Sequence, residues 1–255
     1  MITNKSVENG IEQIIADSLY DLKRPDLFRK PIVAYSSALD ERYAQLKEII
    51  GKWHLNPTEL LPDAKSVISY FVPFTKEVAM EPKNVENGSF LWSESYQEIN
   101  QHFDQINQAV ADFLTKLGYS TKTIQATHTY DPKDLKSMWS HRSAAAIAGL
   151  GAFGLNRMLI TEKGSAGRLC TIITSAPLHA NLIPIDNKCL YVKNGSCGLC
   201  LKICPVKALE ADSFKKFACQ DEVNKNEELM KKNTNLKNVD TCGKCISICP
   251  VAYIE

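Results

Sequence analysis

The cysteine pattern near the end of the chain constrains the fold more than any other feature of this sequence. Two nonapeptides, CGLCLKICP from Cys197 and CGKCISICP from Cys242, stand 45 residues apart. Each has cysteines at its first, fourth and eighth places and proline at its ninth. Each copy therefore offers three thiols where a metal centre with thiolate ligands usually has four. The missing ligands must come from elsewhere in the chain.

The remaining cysteines are the candidates for those ligands. A cysteine directly before proline is typical of two-cluster ferredoxins, in which it ligates the other cluster. Cys189 lies 8 residues before Cys197, and Cys219 lies 23 residues before Cys242. We therefore predict two 4Fe–4S clusters, the first held by Cys189, Cys197, Cys200 and Cys249 and the second by Cys204, Cys219, Cys242 and Cys245. The ninth cysteine, Cys170, lies in the apolar run RLCTIIT and is expected to be a buried thiol.

A single zinc ion is the main alternative to two clusters. Two CxxC pairs suffice for a tetrahedral ion, so the ligands would be Cys197, Cys200, Cys242 and Cys245. That arrangement leaves Cys204, Cys249 and both prolines without a role. Disulfides are disfavoured, because the N-terminus has no apolar segment typical of a secretory signal and the cytoplasm keeps thiols reduced. We expect a cytoplasmic protein without a membrane span.

The uneven distribution of cysteines also predicts two domains. Eight of the nine cysteines fall between Cys189 and Cys249. We place a cysteine-poor body at residues 1–183 and a ferredoxin-like module at residues 184–255. Helix and strand patterns alternate in the body, which predicts an α/β (α+β) fold with a sheet covered by helices. Predicted elements include a helix over Val7–Leu22, a buried strand over Ser66–Pro73, a long helix capped by Ser93, a strand over TKTIQAT and a helix capped by Ser140. The Lys-, Asn- and Glu-rich stretch 215–240 is expected to be a solvated helix or loop.

A glycine-rich segment from Ser140 to Leu178 is the second unusual feature. Its AGLGAFG matches GxGxxG, but the dinucleotide motif needs a strand before it and a helix after it, and here the order is reversed. SHR, AGLG, GLN, LIT, GS and TSAPL, followed by CxxCxxxCP, resemble the epoxyqueuosine reductase family, which is related to the corrinoid-dependent reductive dehalogenases. LPDAKSVISYFVPF, from Leu61, resembles the early strand of that family.

The resemblance implies a flavin-nitroreductase-like domain that binds base-off cobalamin, followed by the two-cluster module. The clusters would deliver electrons to the corrinoid, which would reduce a bound substrate. FMN in the same pocket is the less favoured cofactor. The positions that match the corrinoid-facing loop of the family and its next turn are Ser140, His141, Arg142, Gly149, Leu150, Gly151, Gly154, Asn156, Gly167 and Arg168.

Two departures from the family bear on the substrate. The family usually has Gly-Lys where this chain has Gly154-Leu155, and its tRNA-modifying members continue into a helical-repeat domain, whereas this sequence ends at Glu255. The net charge of +1 gives no overall basic footprint. We therefore expect a small-molecule or nucleoside-like substrate rather than tRNA, with reduced ferredoxin or flavodoxin as the electron donor. A ferredoxin-like electron-transfer protein that reduces a partner's corrinoid or flavin is the alternative function.

Reductive chemistry of this kind needs a proton from a positioned acid. In epoxyqueuosine reductases an aspartate follows the strand before the AGLG helix, and Asp131 in HTYDPKD best matches it. An Asp-Pro pair also simply opens turns in many proteins, so Asp131 need not be catalytic. Three roles are open for His141: a proton donor, a corrinoid contact, or a polar residue whose hydrogen bonds are all made within the protein. The other candidate donors are Tyr130, Asp134 and His128.

Overall fold

The computed structural model describes residues 3–126, 130–181 and 186–255. Its helices are α1 (Asn4–Asp21), α2 (Glu41–Ile49), α3 (Pro57–Leu60), α4 (Lys76–Met80), α5 (Phe90–Lys116), α6 (His141–Ile147), α7 (Leu190–Asn194), α8 (Leu199–Ile203), α9 (Lys216–Asn233) and α10 (Lys244–Ser247), with a 3-10 turn at Glu81–Lys83. Its strands are β1 (Ile32–Ser37), β2 (Ser66–Pro73), β3 (Thr121–Thr123), β4 (Tyr130–Asp131), β5 (Lys136–Ser137), β6 (Gly151–Phe153), β7 (Leu159–Thr161) and β8 (Gly167–Thr174). Within these ranges, no helix combines the length and apolar character needed to cross a bilayer.

A four-stranded antiparallel sheet in the order β1-β2-β8-β3 forms the centre of the body. Every residue of β2 is buried, as its β-branched and aromatic composition predicts. Successive side chains of a strand point to opposite faces, so Ile68 and Tyr70 pack against α1 and α5, whereas Val67 packs towards α6. Each large apolar side chain buried in this way contributes about 1.5–3 kcal/mol. The sheet is therefore the middle layer between two layers of helices.

The long helix α5 begins earlier than the sequence indicates. Its cap is Ser89, whose hydroxyl accepts a hydrogen bond from the Trp92 N–H at 3.4 Å, so the predicted cap at Ser93 is wrong. Ser93 is buried inside the helix, with its hydroxyl 3.4 Å from that of Thr241. The additional turn brings Tyr96 well inside the helix, which matters for the site described below.

The other predicted elements differ mainly in length. The strand over Ser66–Pro73 and the helix capped by Ser140 are confirmed, and the Ser140 hydroxyl accepts from the Ser143 N–H at 3.1 Å. The solvated stretch contains the helix α9. Among the described residues of TKTIQAT, 121–126, the three of β3 pair with β8. The predicted boundary at 183/184 lies outside the described residues and stays a prediction.

The cysteine-rich module is built from short helices that pack directly onto the body. The N–H groups of Ser165 and Ala166 both donate to the Ala252 carbonyl, at 3.0 and 2.9 Å. On another side, the side-chain amide of Asn156 donates to the Cys245 carbonyl at 3.1 Å. These bonds fix the position of the module relative to the sheet.

One of these contacts predicts a specific sensitivity. Gly164 has φ +99°, and a Cβ built on it would lie 2.3 Å from the Ala252 carbonyl oxygen. Gly195 also has a positive φ, +72°, but a Cβ built on it would have no atom within 4 Å. We expect Gly164→Ala to destabilise the protein by about 1–3 kcal/mol more than Gly195→Ala, because only the first adds a steric clash to the backbone cost. Anaerobic urea unfolding followed by circular dichroism measures the difference, and equal losses would contradict it.

Candidate functional site

The first predicted set of cysteines shares one environment. Cys189, Cys197, Cys200 and Cys249 line a common apolar cavity together with Leu155 and Ile160 of the body. The pKa of the Cys200 thiol is raised to about 11, first by burial and then by charge on the other three thiols. Burial also raises the pKa of Cys249, with Cys189 and Cys197 acting in the same direction.

The second predicted set is brought together in the same way. The pKa of the Cys219 thiol is raised to about 11, first by burial and then by charge on Cys242 and Cys204. Cys245, the fourth member, has its pKa raised by burial and then by Cys242, Cys219, Cys200 and Cys204. Because that group of neighbours includes Cys200, the two sets lie next to each other.

This grouping bears on the zinc alternative. One zinc ion would have to draw Cys197 and Cys200 together with Cys242 and Cys245, and the structure divides these pairs between two sets. Thiols that raise one another's pKa favour the protonated form, and bound iron reverses this by accepting the thiolates. Two groups of four thiols fit two 4Fe–4S clusters.

A group of neighbouring polar side chains, Arg142, Arg168, Tyr96 and Tyr130, lies beside the second set of cysteines, and we call the region around it the recess. Arg142, at the first turn of α6, keeps much of its surface exposed to solvent, and yet its pKa is lowered, first by burial among protein atoms and then by Arg168. Cys219 has the opposite effect on the Arg142 pKa, so the recess borders the second set of cysteines.

The second guanidinium of the recess is positioned by α5. Arg168 Nε donates to Asn100 Oδ1 at 3.1 Å, and its guanidinium lies 4.4 Å from the centre of the Tyr96 ring. The side-chain amide nitrogen of Asn100 is buried without a hydrogen-bond partner among the described residues. Over the same part of the chain, neither Arg142 nor Arg168 has a carboxylate partner. Two neighbouring cations without an anion make a site suited to an anionic group.

His141 is already fully hydrogen-bonded. Its Nε2 lies 3.1 Å from the Gln125 carbonyl and must donate to it, which leaves Nδ1 to accept from the Thr171 hydroxyl at 2.8 Å. The Thr171 oxygen in turn accepts from Trp139 Nε1 at 2.9 Å. Burial lowers the pKa of His141 to about 4, so the ring is neutral near pH 7. Of the three roles open to His141, the geometry favours that of a satisfied polar residue.

The glycines of the segment have packing roles of their own. A Cβ on Gly151 would lie 2.3 Å from the Ile160 carbonyl oxygen, and one on Gly167 would lie 2.3 Å from the Val72 carbonyl oxygen. Gly154 is similarly filled by the Ile160 side chain at 2.8 Å, and Gly149 ends α6 with φ +84°. These contacts explain why glycine stands at each of these positions, and a planar ligand is not needed to explain them.

Three more of the predicted cofactor contacts have structural roles. Leu150 belongs to the core beside β2, and Ser140 is the cap of α6. Asn156 faces the cysteine module rather than the recess. Of the predicted contacts, the structure therefore brings His141, Arg142 and Arg168 to the recess.

The proton-donor candidates occupy different environments. Asp131 is exposed, and its carboxylate accepts from the Lys133 N–H at 2.9 Å, which is the turn-forming use of Asp-Pro. Asp134 pairs with Lys136 at 3.0 Å, and this hydrogen bond lowers the Asp134 pKa. A carboxylate held ionised in this way is a poor acid. His128 lies outside the described residues.

Tyr130 is the candidate that faces the recess. Its pKa is raised by burial first and then by Asp240 and Tyr96, so the phenol keeps its proton. The Tyr96 hydroxyl donates to the Asp240 carboxylate at 3.2 Å. Tyr96, Asn100 and Asp240 were not predicted from the sequence, because their motif-free segments meet the recess only through the fold. The helical spacing of Tyr96 and Asn100 was the one available signal, since four residues apart place both on one face of α5.

The recess fits a cofactor that carries phosphate and amide groups. Unpaired guanidiniums at Arg142 and Arg168 suit a phosphate, and the orphaned Asn100 amide suits a carbonyl acceptor. These are the polar groups on the edge and tail of a corrinoid. The described residues are therefore compatible with cobalamin next to the second set of cysteines.

Comparison with known proteins supports the module and the relationship. Residues 193–254 match the family model described as a 4Fe-4S double cluster binding domain. The epoxyqueuosine reductase of Lactococcus garvieae (strain Lg2) is 28% identical over 165 residues, which cover 62% of this chain and 42% of the relative. That of Bacillus anthracis is 30% identical over 161 residues, covering 60% and 38%. The chain therefore spans about two fifths of the length of these curated relatives in the aligned regions.

Solved structures extend the likeness to nearly the whole chain. An epoxyqueuosine reductase solved with an epoxyqueuosine-modified tRNA-Tyr stem loop is 20% identical with a TM-score of 0.57, covering 95% of this chain and 66% of that one. A variant of the catabolic reductive dehalogenase NpRdhA is 15% identical with a TM-score of 0.58, covering 86% and 29%. A reductive dehalogenase described with a mechanism for B12-dependent dehalogenation is 16% identical with a TM-score of 0.51, covering 70% and 23%.

These likenesses confirm the predicted fold class, a mixed α/β body followed by a two-cluster iron–sulfur module. They also confirm the resemblance stated from the motifs. The chain is thus related to the epoxyqueuosine reductases in sequence and shares its fold with them and with the reductive dehalogenases.

Proposed function

We propose that this chain is an iron–sulfur reductase that binds a corrinoid in the recess and reduces a nucleoside-like substrate there. The observation that carries the proposal is the pair of guanidiniums, Arg142 and Arg168, without a carboxylate partner in the described residues and next to Cys219. An unneutralised pair of cations beside an electron-carrying module is suited to an anionic redox cofactor.

The cysteines would hold the electron path. The first set would bind one 4Fe–4S cluster and the second set another, and the approach of Cys200 to Cys245 would place the clusters next to each other. Fully ligated clusters have no open position for a substrate, so they transfer electrons only. Because the second set borders the recess, electrons would leave the module at Cys219.

The recess would hold the cofactor by its polar groups. Arg142 and Arg168 would donate charge-assisted hydrogen bonds to a phosphate, and the Asn100 amide would donate to a carbonyl. Cobalamin would supply a metal centre of low potential, which neither the side chains nor the clusters offer to a substrate. FMN also carries a phosphate, so the spectrum of the loaded protein must distinguish the two.

Tyr130 is the proton donor that we propose. It lies beside Tyr96 and Asp240 with its phenol protonated, and the Tyr96 hydroxyl donates to the Asp240 carboxylate. After the phenol gives up its proton, the neighbouring carboxylate would favour its reprotonation. Asp131, which best matches the family position, is the competing donor.

Exposed rings near the recess support a nucleoside-like substrate. Trp53 is 39% exposed with Lys136 4.1 Å from its ring centre, and Phe217 is 51% exposed with Lys216 5.3 Å away. Lys216 also donates to the Asp134 carbonyl, which joins these surfaces to the hairpin that carries Tyr130. Aromatic rings beside cations are typical surfaces for stacking bases. Assays with free epoxyqueuosine and with a tRNA stem loop decide which form of substrate is used.

The cluster ligands predict iron contents. We expect about eight iron and eight sulfide per chain in the anaerobically reconstituted protein. Cys219→Ala is expected to lower the iron content by about half, because one cluster loses a ligand. Cys170→Ala is the matched control, since Cys170 is fully buried beside Asn107 in the core and belongs to neither set. Iron loss in the control, or full iron in Cys219→Ala, would refute the assignment.

The guanidiniums predict the affinity for cobalamin. We expect Arg142→Gln and Arg168→Gln each to weaken binding by about tenfold or more, because each removes a charge-assisted hydrogen bond worth about 1.5–3 kcal/mol. Anaerobic titration followed by visible absorbance measures the dissociation constant. Arg42→Gln is the control, because that guanidinium pairs with Asp40 at 2.7 Å outside the recess. If the wild type shows cluster absorbance and takes up no corrinoid, the alternative of an electron-transfer protein is favoured instead.

The proton donor predicts a difference between neighbouring substitutions. We expect Tyr130→Phe to lower kcat for epoxyqueuosine reduction by about 100-fold, with cobalamin affinity unchanged. Asp131→Asn should leave kcat within about threefold of wild type, because its carboxylate only supports a turn. The reverse order of effects would assign the proton to Asp131.

A further inference from the structure

A group of exposed apolar side chains surrounds the first set of cysteines. Leu190 is 41% exposed, Val192 53% and Leu199 40%. Leu190 and Val192 belong to α7, which begins directly after Cys189, and Leu199 begins α8 between Cys197 and Cys200. Leu190 and Leu199 also line the cavity of the first set. We call this surface the module face, made up of Leu190, Val192, Leu199, Lys193 and Lys202.

The module face is basic, although the chain as a whole is nearly neutral. Residues 186–207 contain Lys188, Lys193, Lys202 and Lys207 with Asp186 as their single acidic residue, a net charge of +3 compared with +1 for the whole chain. Lys193 pairs with Asp186 at 2.8 Å. The other three lysines have no carboxylate partner within the described part of the chain. Apolar side chains among lysines are typical of a surface that binds an acidic protein.

The position of the module face gives this surface a role. It covers the first set of cysteines, whereas the second set borders the recess through Cys219 and Arg142. Cys197 is partly exposed at the face, so little protein separates the first cluster from solvent there. Electrons bound for the recess would therefore enter by the first set and leave by the second.

We propose that the module face is the docking site of an acidic one-electron carrier protein. The proposal rests on the two clusters of the proposed function and adds where and how the donor binds. In the step itself, the reduced carrier loses one electron and the first cluster gains it, with no atom or proton transferred. The carrier has carboxylates around an exposed redox group, which pair with Lys193 and Lys202, while Leu199 and Val192 meet its apolar centre.

Charge reversal at the face tests the proposal. Flavodoxin in its hydroquinone form is the probe, mixed anaerobically with the reconstituted protein, and the bleaching of cluster absorbance gives the second-order rate. We expect Lys193→Glu combined with Lys202→Glu to slow this rate by about tenfold or more at low ionic strength, because rim charges act mainly on association. The difference should shrink as salt is added. Reduction by dithionite, which needs no docking, should stay within about twofold of wild type.

A matched variant and an apolar variant complete the test. Lys65→Glu combined with Lys122→Glu makes the same charge change at exposed positions on the central sheet of the body, and should leave the flavodoxin rate within about twofold. Leu199→Ser should slow the flavodoxin rate without changing its salt dependence. Equal slowing by both charge-reversed pairs, or no slowing by the pair on the module face, would overturn the proposal. If cobalamin fails to bind, the proposed function is refuted but the docking proposal is not, because the docking test measures only reduction of the clusters.

Discussion

The exchange of one cysteine between two similar loops is the constraint on which this structure depends. Cys204 follows the first CxxC in sequence but lies with Cys219 and Cys242, and Cys249 follows the second but lies with Cys189 and Cys197. Neither loop can therefore complete a cluster without the other. Burial raises the pKa of the cysteines, so the thiolate form depends on bound iron. With the predicted ligands, folding of the module and assembly of its clusters would be coupled.

The module also depends on the body for its apolar core. Leu155 and Ile160, both from the body, pack with Cys189, Cys200 and Leu209 in one cluster of side chains. The apolar core of the module is therefore continuous with side chains of the body. Lys216, the first residue of α9, donates to the Asp134 carbonyl and so joins α9 to the hairpin that carries Tyr130. The recess is thus a consequence of how the two parts pack, and neither part contains it alone.

Prediction from the sequence succeeded where chemistry or composition is local. The continuous apolar run of β2 is buried on both faces, as its residues predict. The cysteines that spacing assigns to each cluster are neighbours in the structure, and their roles as ligands stay a prediction. Prediction failed at Ser93, since a serine can cap a helix or lie buried within one, and only the partner Thr241 decides. The glycines matched a ligand-facing motif, but Gly151 and Gly167 are required by neighbouring backbone. A single sequence does not show whether a serine or a glycine is exposed at a cap or a ligand site, or buried against neighbouring backbone.

The sequence by itself determined the fold class and the two-cluster module, because periodicity and ligand spacing act over short distances along the chain. The assignment of individual cysteines to the two clusters stays a prediction. Only the tertiary structure decided which polar residues share the recess. Tyr96, Tyr130, Arg142 and Arg168 come from four separate elements, and their proximity depends on the packing of α5 and α6 against β8. No local pattern records a contact between residues so far apart in the chain, because it is the burial of other side chains that brings them together.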